Sequence, residues 1–426
     1  MKKTSFFIAF VLIANLISAQ NIREQLFNLP DVMFEKVLTP VGYEAAYELK
    51  IRQPLDHNDP SKGYFYQRAF LSHAGFDEPT VMVTNGYANS RNRISEPAEL
   101  LGANQINIEH RFFGESMPDS LDYNYLNLEQ VAGDLHHINE IFRTIYSGKW
   151  LSTGISKGGQ TTIFYRYFYP KDVDVSMPYV APSTRGLEDK RIYTFLDTVG
   201  SKECRDAIKE VQFTLFKNRE KVLPLLKWYT YGARLNFNYL KFEEAFEYAV
   251  LEYPFSFWQW GTECSDIPSK DTDLETILYH FVKVSGLDFF SDESMESFAS
   301  HYYQAGSEMG YYGYDISDFK EYIKALPNDK NPSAIFMPNK MKVDFDNSVP
   351  QKMQKWIKTN GNQFIYINGN KDTWSVTAER EQKGVDALWF FLEGKDHGAA
   401  RIKNMTDIQR EQMVAALERW LELEIE

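Results

Sequence analysis

The 426-residue chain contains few cysteines, and its basic residues do not balance its acidic ones. Two cysteines are too few for a disulfide-rich miniprotein, and without a cluster of histidines they do not form a zinc site. The chain has 46 lysines and arginines but 59 aspartates and glutamates, which gives a net charge of -13. Because an acidic surface repels phosphate backbones, the charge argues against a nucleic acid as partner. Nothing in the sequence indicates a metal or an organic cofactor.

Long apolar runs are also missing, apart from one at the N-terminus. Lys2 and Lys3 precede an apolar stretch at 6–17, and small residues follow at Ser18 and Ala19. This order is typical of a secretory signal peptide, and the stretch is too short for a helix that spans a membrane. We expect residues 1–19 to be removed, and subtracting two lysines from -13 gives -15. We therefore expect an exported protein, periplasmic or secreted, without membrane contact after cleavage.

Export changes how Cys204 and Cys264 are interpreted. In an oxidising compartment a single pair of cysteines usually forms one disulfide. Closing a loop of this length would stabilise the fold by about 4 kcal/mol in the chain-entropy description. The alternative is two free, buried thiols, which behave as small apolar side chains.

The periodicity of apolar residues divides the chain into an α/β part and a helical insertion. Strands are predicted at 43–51, 64–71, 80–84, 105–109, 150–153, 173–180, 363–367 and 387–392, and helices at 126–146, 158–169 and 406–423. This alternation implies a mostly parallel sheet. Between 186 and 340 the alternation stops and aromatic residues accumulate. We therefore expect an α/β domain at 20–185 and 341–426, interrupted by a helical insertion at 186–340.

The strongest local motif is GISKGG at 154–159, which lies between a predicted strand and a predicted helix. G-x-S-x-G in this position is typical of a nucleophile elbow, a sharp turn that lifts the serine hydroxyl clear of the sheet. The glycines at 154 and 158 let the neighbouring backbone pass without a clash. The alternative is an ordinary turn, but the flanking elements favour Ser156 as a nucleophile.

An elbow is followed along the chain first by an acid and then by a histidine. Asp372 follows a predicted strand and a glycine turn, and His397 follows the next predicted strand. The other two histidines downstream of Ser156 fall in the helical insertion. Asp396 is an alternative acid, but it adjoins His397, and adjacent side chains in a loop seldom face each other. The predicted triad is therefore Ser156, Asp372 and His397.

A serine nucleophile also needs two donors for the oxyanion that it creates. One is the backbone N–H of Lys157, the residue after the nucleophile. The second should come from the loop after the predicted strand at 80–84, and we assign it to the N–H of Tyr87.

Six short segments carry a family resemblance. They are QPLDH at 53–57, YQR at 66–68, EHRFFGES at 109–116, STGISKGG at 152–159, FYP at 168–170 and YVAP at 179–182. Together they resemble the secreted bacterial tripeptidyl aminopeptidases of the PS-10 type. That family is similar in turn to the prolyl carboxypeptidase and dipeptidyl peptidase II family, whose helical lid resembles WGTEC at 260–264.

The resemblance implies an α/β-hydrolase fold in which the α/β domain is catalytic and the insertion forms a large helical cap. It also implies a serine exopeptidase that releases tripeptides from the free N-termini of peptide substrates, often after proline. Prolyl carboxypeptidase or dipeptidyl peptidase activity, or an esterase on the same scaffold, are the alternatives. A protein that only binds a ligand on this scaffold would not need a serine, an acid and a histidine in the expected chain order, which argues against a non-catalytic binding protein.

An aminopeptidase must bind a free ammonium group, and a desolvated cation needs a carboxylate partner. Glu263 and Glu308 are the candidates, because each lies in an aromatic part of the cap. The alternative is that both are solvated acids on an acidic surface.

Two further groups of polar residues lie near the predicted cleft. Glu109, His110 and Arg111 stand at a strand end, where a buried structural hydrogen-bond cluster is favoured over a catalytic role. Arg91 and Arg93 follow in the loop that carries the second oxyanion donor, and this position puts them at the border of the cleft.

Overall fold

The computed structural model describes residues 21–425, so the predicted signal peptide at 1–19 lies outside the described residues. These residues form a single sheet of nine strands that is flanked by helices. The strands are β1 (Val32–Lys36), β2 (Ala45–Pro54), β3 (Tyr64–His73), β4 (Thr80–Thr84), β5 (Asn104–Ile108), β6 (Trp150–Ile155), β7 (Val175–Tyr179), β8 (Ile365–Gly369) and β9 (Leu388–Leu392).

The order of the strands across the sheet is β1-β2-β3-β5-β4-β6-β7-β8-β9. The three pairings from β1 to β5 are antiparallel, and the five from β5 to β9 are parallel. A short turn suffices to join β2 to β3, whereas parallel neighbours need crossovers that carry helices. The sheet is therefore mostly parallel, as the sequence predicts.

Thirteen α-helices lie within the described residues. They are α1 (Ile22–Asn28), α2 (Glu96–Leu100), α3 (Leu128–Arg143), α4 (Lys157–Phe168), α5 (Arg191–Thr198), α6 (Lys202–Lys217), α7 (Arg219–Gly232), α8 (Phe242–Gln259), α9 (Leu274–Val284), α10 (Asp292–Ser297), α11 (Ala299–Gln304), α12 (Ser348–Asn360) and α13 (Asp407–Leu421). None of them is long and apolar enough to cross a bilayer.

Helix ends are set by capping side chains rather than by apolar periodicity. The third helix, α3, begins at Leu128 and not at 126, because the Asn127 side chain accepts a hydrogen bond from the Gln130 amide. Thr406 and Gln409 form the predicted capping box at the start of α13. The sequence did not indicate β1, α1, α2 or α12. Three of these elements, β1, α1 and α2, have only five to seven residues, too few to show a clear period.

The segment between β7 and α12 forms a helical cap with a hydrophobic core of its own. Helices α5 to α11 lie in this segment, and a π-helical turn, Ala305–Met309, follows them. A disulfide joins Cys204, near the start of α6, to Cys264, in the loop after α8. Trp374, from the α/β part, packs into the cap core. The sheet order, the elbow between β6 and α4 and the inserted cap confirm the predicted α/β-hydrolase fold.

Candidate active site

Ser156 occupies a strained turn between a strand and a helix. Strand β6 ends at Ile155 and α4 begins at Lys157, so Ser156 alone makes the turn. Its φ of 58° and ψ of -124° lie in a region that residues with a Cβ rarely adopt. Such strain is typical of a nucleophile elbow, in which the serine side chain stands out from the sheet.

Close backbone contacts explain the glycines on either side of the serine. A Cβ added to Gly154 would lie 2.3 Å from the Gly158 carbonyl oxygen. A Cβ added to Gly158 would lie 2.4 Å from the Thr84 carbonyl oxygen, at the end of β4. Both distances are far below van der Waals contact, so neither position accepts a side chain without a backbone shift.

Asp372 and His397 form a buried pair. Nδ1 of His397 lies 2.8 Å from Oδ2 of Asp372, and the other carboxylate oxygen accepts a hydrogen bond from the Trp374 amide at 3.0 Å. This contact orients the imidazole so that its Nε2 is left for another partner. Asp396, the alternative acid, instead accepts hydrogen bonds from the amides of Gly398 and Ala399 in its own loop.

Both loops of this pair are attached to the cap helix α8. The hydroxyl of Thr373 donates to the Phe255 carbonyl at 3.0 Å, and the His397 amide donates to the Gln259 carbonyl at 3.1 Å. The edge of the Trp260 ring stands over His397, with 5.7 Å between ring centroids. The acid and the histidine are therefore positioned by the cap as well as by the sheet.

The two predicted oxyanion donors lie side by side. Gly86 packs so closely on the elbow that an added Cβ would lie 2.5 Å from the Lys157 Cβ and 2.8 Å from the Gly158 nitrogen. Tyr87 follows directly in this loop. Within residues 21–425, neither the Tyr87 amide nor the Lys157 amide has a hydrogen-bond acceptor. Both amides are thus available to a ligand, and their role remains a prediction.

The Lys157 side chain is buried beneath the same loop. Its Nζ donates to the Gly86 carbonyl at 2.7 Å and lies 3.1 Å from Nε2 of His110. Nδ1 of His110 lies 2.8 Å from the Arg111 carbonyl, so Nδ1 carries the hydrogen and Nε2 accepts from the lysine. Burial holds the pKa of Lys157 well below its ordinary value. The Lys157 amine thus contacts a peptide carbonyl and an imidazole nitrogen, and it forms no ion pair with an acid among residues 21–425.

A cavity of about 830 Å³ lies between the elbow and the cap, a size that suits a short peptide. Ser156 and His397 both line it. Aromatic side chains of both parts of the chain form much of the remaining wall; they are Tyr87, Trp260, Phe289, Phe298, Tyr302, Tyr311, Tyr312 and Trp374.

Glu252, on helix α8, is the buried carboxylate of this cavity. It accepts hydrogen bonds from the hydroxyls of Tyr314 at 2.7 Å, Ser256 at 2.8 Å and Tyr312 at 2.9 Å. Burial raises its pKa to about 7, against the effect of the three hydroxyls. No cation pairs with it among the described residues. A buried carboxylate of this kind is suited to a cationic ligand.

The structure does not bring Glu263 and Glu308 to the cavity, and this corrects the sequence-based expectation. Glu263 is exposed and lies 3.9 Å from the Lys371 ammonium. Glu308 accepts a hydrogen bond from the Leu128 amide at 2.8 Å, and so it caps α3. Burial raises the pKa of Glu308 to about 8. Neither carboxylate lines the cavity, and Glu252 takes their place as the candidate for amine binding.

Sequence reasoning missed Glu252, although a signal was present. Helix α8 is apolar on most of its surface, and Glu252 follows Val250 and Leu251 and precedes Tyr253. A carboxylate in such a segment is buried, and a buried carboxylate needs partners or a function.

His301 and Tyr302 are further cavity residues that the sequence did not indicate. Both are buried, and neither His301 nitrogen nor the Tyr302 hydroxyl has a hydrogen-bond partner among residues 21–425. Burial lowers the pKa of His301 to about 3, so the ring is neutral. Since a buried polar group without a partner costs about 1–3 kcal/mol, these atoms are suited to bind a polar ligand.

The Glu109 and Arg111 cluster is structural. Glu109 accepts hydrogen bonds from Arg68 at 2.6 Å and from the amide and hydroxyl of Ser116 at 2.9 Å. Arg111 forms two hydrogen bonds of 2.7 Å with Asp134. Every one of these groups is buried or nearly so and already paired, so none is available to a substrate. The described residues contain no group of three or more histidine, cysteine or acidic side chains that could hold a metal ion.

Known proteins match the chain over most of its length. The family model described as PS-10 peptidase S37 matches residues 17–423. The prolyl tri/tetrapeptidyl aminopeptidase of Streptomyces mobaraensis is 30% identical over 409 residues, which cover 94% of this chain and 85% of that protein. Among solved structures, VinJ covers 87% of this chain and 98% of its own at 10% identity, with a TM-score of 0.40. The epoxide hydrolase CorEH covers 91% and 99% at 12% identity, with a TM-score of 0.35.

Proposed function

Because the chain belongs to the PS-10 peptidase S37 family and is a serine peptidase, we propose that it releases tripeptides from the free N-termini of polypeptides, often after proline. The observation that carries this proposal is the buried Glu252 in the cavity that Ser156 and His397 also line. The name of the Streptomyces relative, a prolyl tri/tetrapeptidyl aminopeptidase, supports both the polarity of the cut and the preference for proline.

In the proposed reaction, the Ser156 hydroxyl attacks the carbonyl carbon of the third residue of the substrate. His397 takes the hydroxyl proton and gives it to the leaving amine, while Asp372 stabilises the imidazolium. The products of this half-reaction are a tripeptidyl ester of Ser156 and a shortened polypeptide. Water then attacks the ester with the same histidine as base, and this step releases the tripeptide and restores the serine.

The oxyanion receives hydrogen bonds from the amides of Lys157 and Tyr87. The Lys157 side chain acts as a positioning group for the second of these donors. Because a peptide bond is planar and trans, a Lys157 amine that donates to the Gly86 carbonyl holds the Tyr87 N–H on the opposite side. This hydrogen bond also polarises the peptide group and makes its N–H a stronger donor.

The N-terminal ammonium of the substrate pairs with Glu252 in the cavity. The unpartnered atoms of His301 and Tyr302, which line the same cavity, bind peptide groups of the substrate. An extended tripeptide is about 10 Å long, so the separation of carboxylate and nucleophile selects the length of the product. A buried carboxylate would repel the C-terminal carboxylate of a carboxypeptidase substrate, which argues against that alternative.

The test is hydrolysis of Ala-Ala-Pro-aminomethylcoumarin by the wild type, by Ser156→Ala and by Ser120→Ala, a control that removes an exposed hydroxyl. N-acetylated Ala-Ala-Pro and the dipeptide Gly-Pro, both coupled to aminomethylcoumarin, complete the substrate set. We expect only the free tripeptide to be cut, by the wild type and Ser120→Ala alone. Cleavage of the acetylated substrate at an equal rate, or release of a C-terminal residue from a peptide, would refute the aminopeptidase proposal.

We include export in this proposal. The N-terminal pattern at 1–19 supports it, and the disulfide between Cys204 and Cys264 is of a kind that persists in oxidising compartments. Expression in a Gram-negative host and N-terminal sequencing of the periplasmic fraction should give a chain that begins at Gln20. A chain that stays in the cytoplasm with residues 1–19 attached would contradict export.

A further inference from the structure

We propose that a basic cleft beside His397 binds the departing part of the polypeptide and favours acidic residues there. This inference rests on the proposed aminopeptidase activity and adds a preference on the leaving side of the cut. A cavity of about 720 Å³, the basic cleft, lies at the carboxyl ends of β4, β6 and β7. The loop at 88–97, which follows the oxyanion donor Tyr87, forms one of its walls.

The basic cleft adjoins the cavity under the cap. Ile155, Gly398 and Arg401 line both, so the two spaces meet beside the elbow and the histidine loop. Glu252 belongs to the cavity under the cap and not to the cleft. A substrate whose N-terminus pairs with Glu252 therefore has its first residues on the cap side of Ser156.

The chemistry of the cut fixes where the rest of the substrate goes. The leaving nitrogen takes its proton from His397, so the departing chain must begin next to this side chain. Gly398 comes directly after His397 and Arg401 four residues after it, and both line the basic cleft. The fourth and following residues of the substrate therefore run into this cleft.

The charges that line the cleft have one predominant sign. The lining contains a single carboxylate, Glu96, and four cations, which are Arg91, Arg93, Arg401 and Lys403. Its net charge is therefore four minus one, or +3. The Glu96 oxygens accept hydrogen bonds from two backbone amides of the neighbouring loop at 2.8 and 3.3 Å. None of the four cations forms an ion pair among the described residues. In a chain of net charge -13, this local positive field attracts acidic segments.

The test compares two hexapeptides, Ala-Ala-Pro-Glu-Glu-Tyr and Ala-Ala-Pro-Lys-Lys-Tyr, by kcat/KM for release of Ala-Ala-Pro at low salt. We expect the wild type to prefer the acidic peptide by about three- to tenfold, the range for a few exposed charge pairs, and to lose the preference at high salt. The variant R91E/R93E should prefer the basic peptide, and R91Q/R93Q should show a reduced preference.

K270E/K330E is the matched control, because it changes the net charge equally at two exposed lysines that line neither cavity. It should keep the wild-type preference. Ala-Ala-Pro-aminomethylcoumarin has no charge on the leaving side and should be cut at similar rates by all four proteins. If the wild type cuts this substrate but does not distinguish the hexapeptides, or if the control shifts the preference as much as R91E/R93E, the inference is refuted and the proposed function stands. If the wild type leaves the coumarin substrate intact, the proposed function fails and the inference fails with it.

Discussion

The raised pKa of Glu252 predicts that the proposed binding of the substrate amine depends on pH within the neutral range. Only the ionised carboxylate attracts an ammonium, and burial raises the pKa of this group to about 7. Each pH unit below 7 therefore costs about 1.4 kcal/mol, or a factor of ten in kcat/KM. Above about pH 8 the substrate amine loses its own proton. The pH profile of kcat/KM for a free tripeptide should be bell-shaped, with its maximum between about 7 and 8.

The substitution Glu252→Gln keeps the shape of the side chain and removes its charge. Truncating one partner of a buried, hydrogen-bonded charge pair costs about 2–5 kcal/mol, which corresponds to a loss of about 30- to 5000-fold in kcat/KM. The loss should fall mainly on KM. In Glu252→Gln the acid limb should lose the tenfold fall per pH unit that the Glu252 carboxylate contributes.

The assay is the initial rate of Ala-Ala-Pro-aminomethylcoumarin hydrolysis between pH 5 and 9 at fixed ionic strength. Glu263→Gln is the matched control, since this carboxylate also lies in the cap but is exposed and does not line the cavity. It should leave the melting temperature and the pH profile unchanged. A Glu252→Gln enzyme with the wild-type rate and acid limb would refute the reasoning, as would a changed profile in Glu263→Gln.

Three further predictions concern other parts of the site. Lys157→Met should lower kcat about 10- to 100-fold with little change in KM or melting temperature, because the Tyr87 donor loses its orientation while a buried polar group is replaced by an apolar one of similar length. An unchanged kcat would contradict the positioning role. Gly158→Ala should abolish activity and lower the melting temperature, since its Cβ would lie 2.4 Å from the Thr84 carbonyl oxygen. The control Gly148→Ala should behave as wild type in both measurements, since its Cβ would lie 3.7 Å from the Glu78 carbonyl oxygen. Replacing Cys204 and Cys264 together by serine should loosen the cap and lower the melting temperature by several degrees in calorimetry. Mass spectrometry that finds both thiols free in the exported wild-type protein would refute this prediction.

The parts of the molecule that local sequence determines could be predicted. Strand β4 has the predicted bounds, and α4 begins one residue before its predicted start, because a strand, a glycine turn and a helix each leave a local pattern. The pairing of Asp372 with His397 follows from chain order, since parallel strands bring their carboxyl ends to one edge of the sheet.

The contents of the cap could not be predicted, because they depend on packing between distant segments. Glu252 meets Tyr312 and Tyr314 across about 60 residues of chain, and nothing in either segment indicates the other. The same holds for Glu308, which lies next to α3 and not in the cavity because a helix N-terminus 180 residues away offers it an amide. An aromatic setting in the sequence does not distinguish a cavity wall from a core.

The attachment of the acid and histidine loops to helix α8 has a consequence for the proteins that this enzyme can attack. Thr373 and His397 both bond to the backbone of α8, and Trp374 is embedded in the cap core. A cap that swung open would therefore have to break these contacts or displace the loops that carry Asp372 and His397. We therefore expect a substrate to enter while α8 stays in place, which favours a narrow, extended chain. Flexible termini of polypeptides and short peptides meet this requirement, whereas compactly folded proteins become substrates only after they unfold.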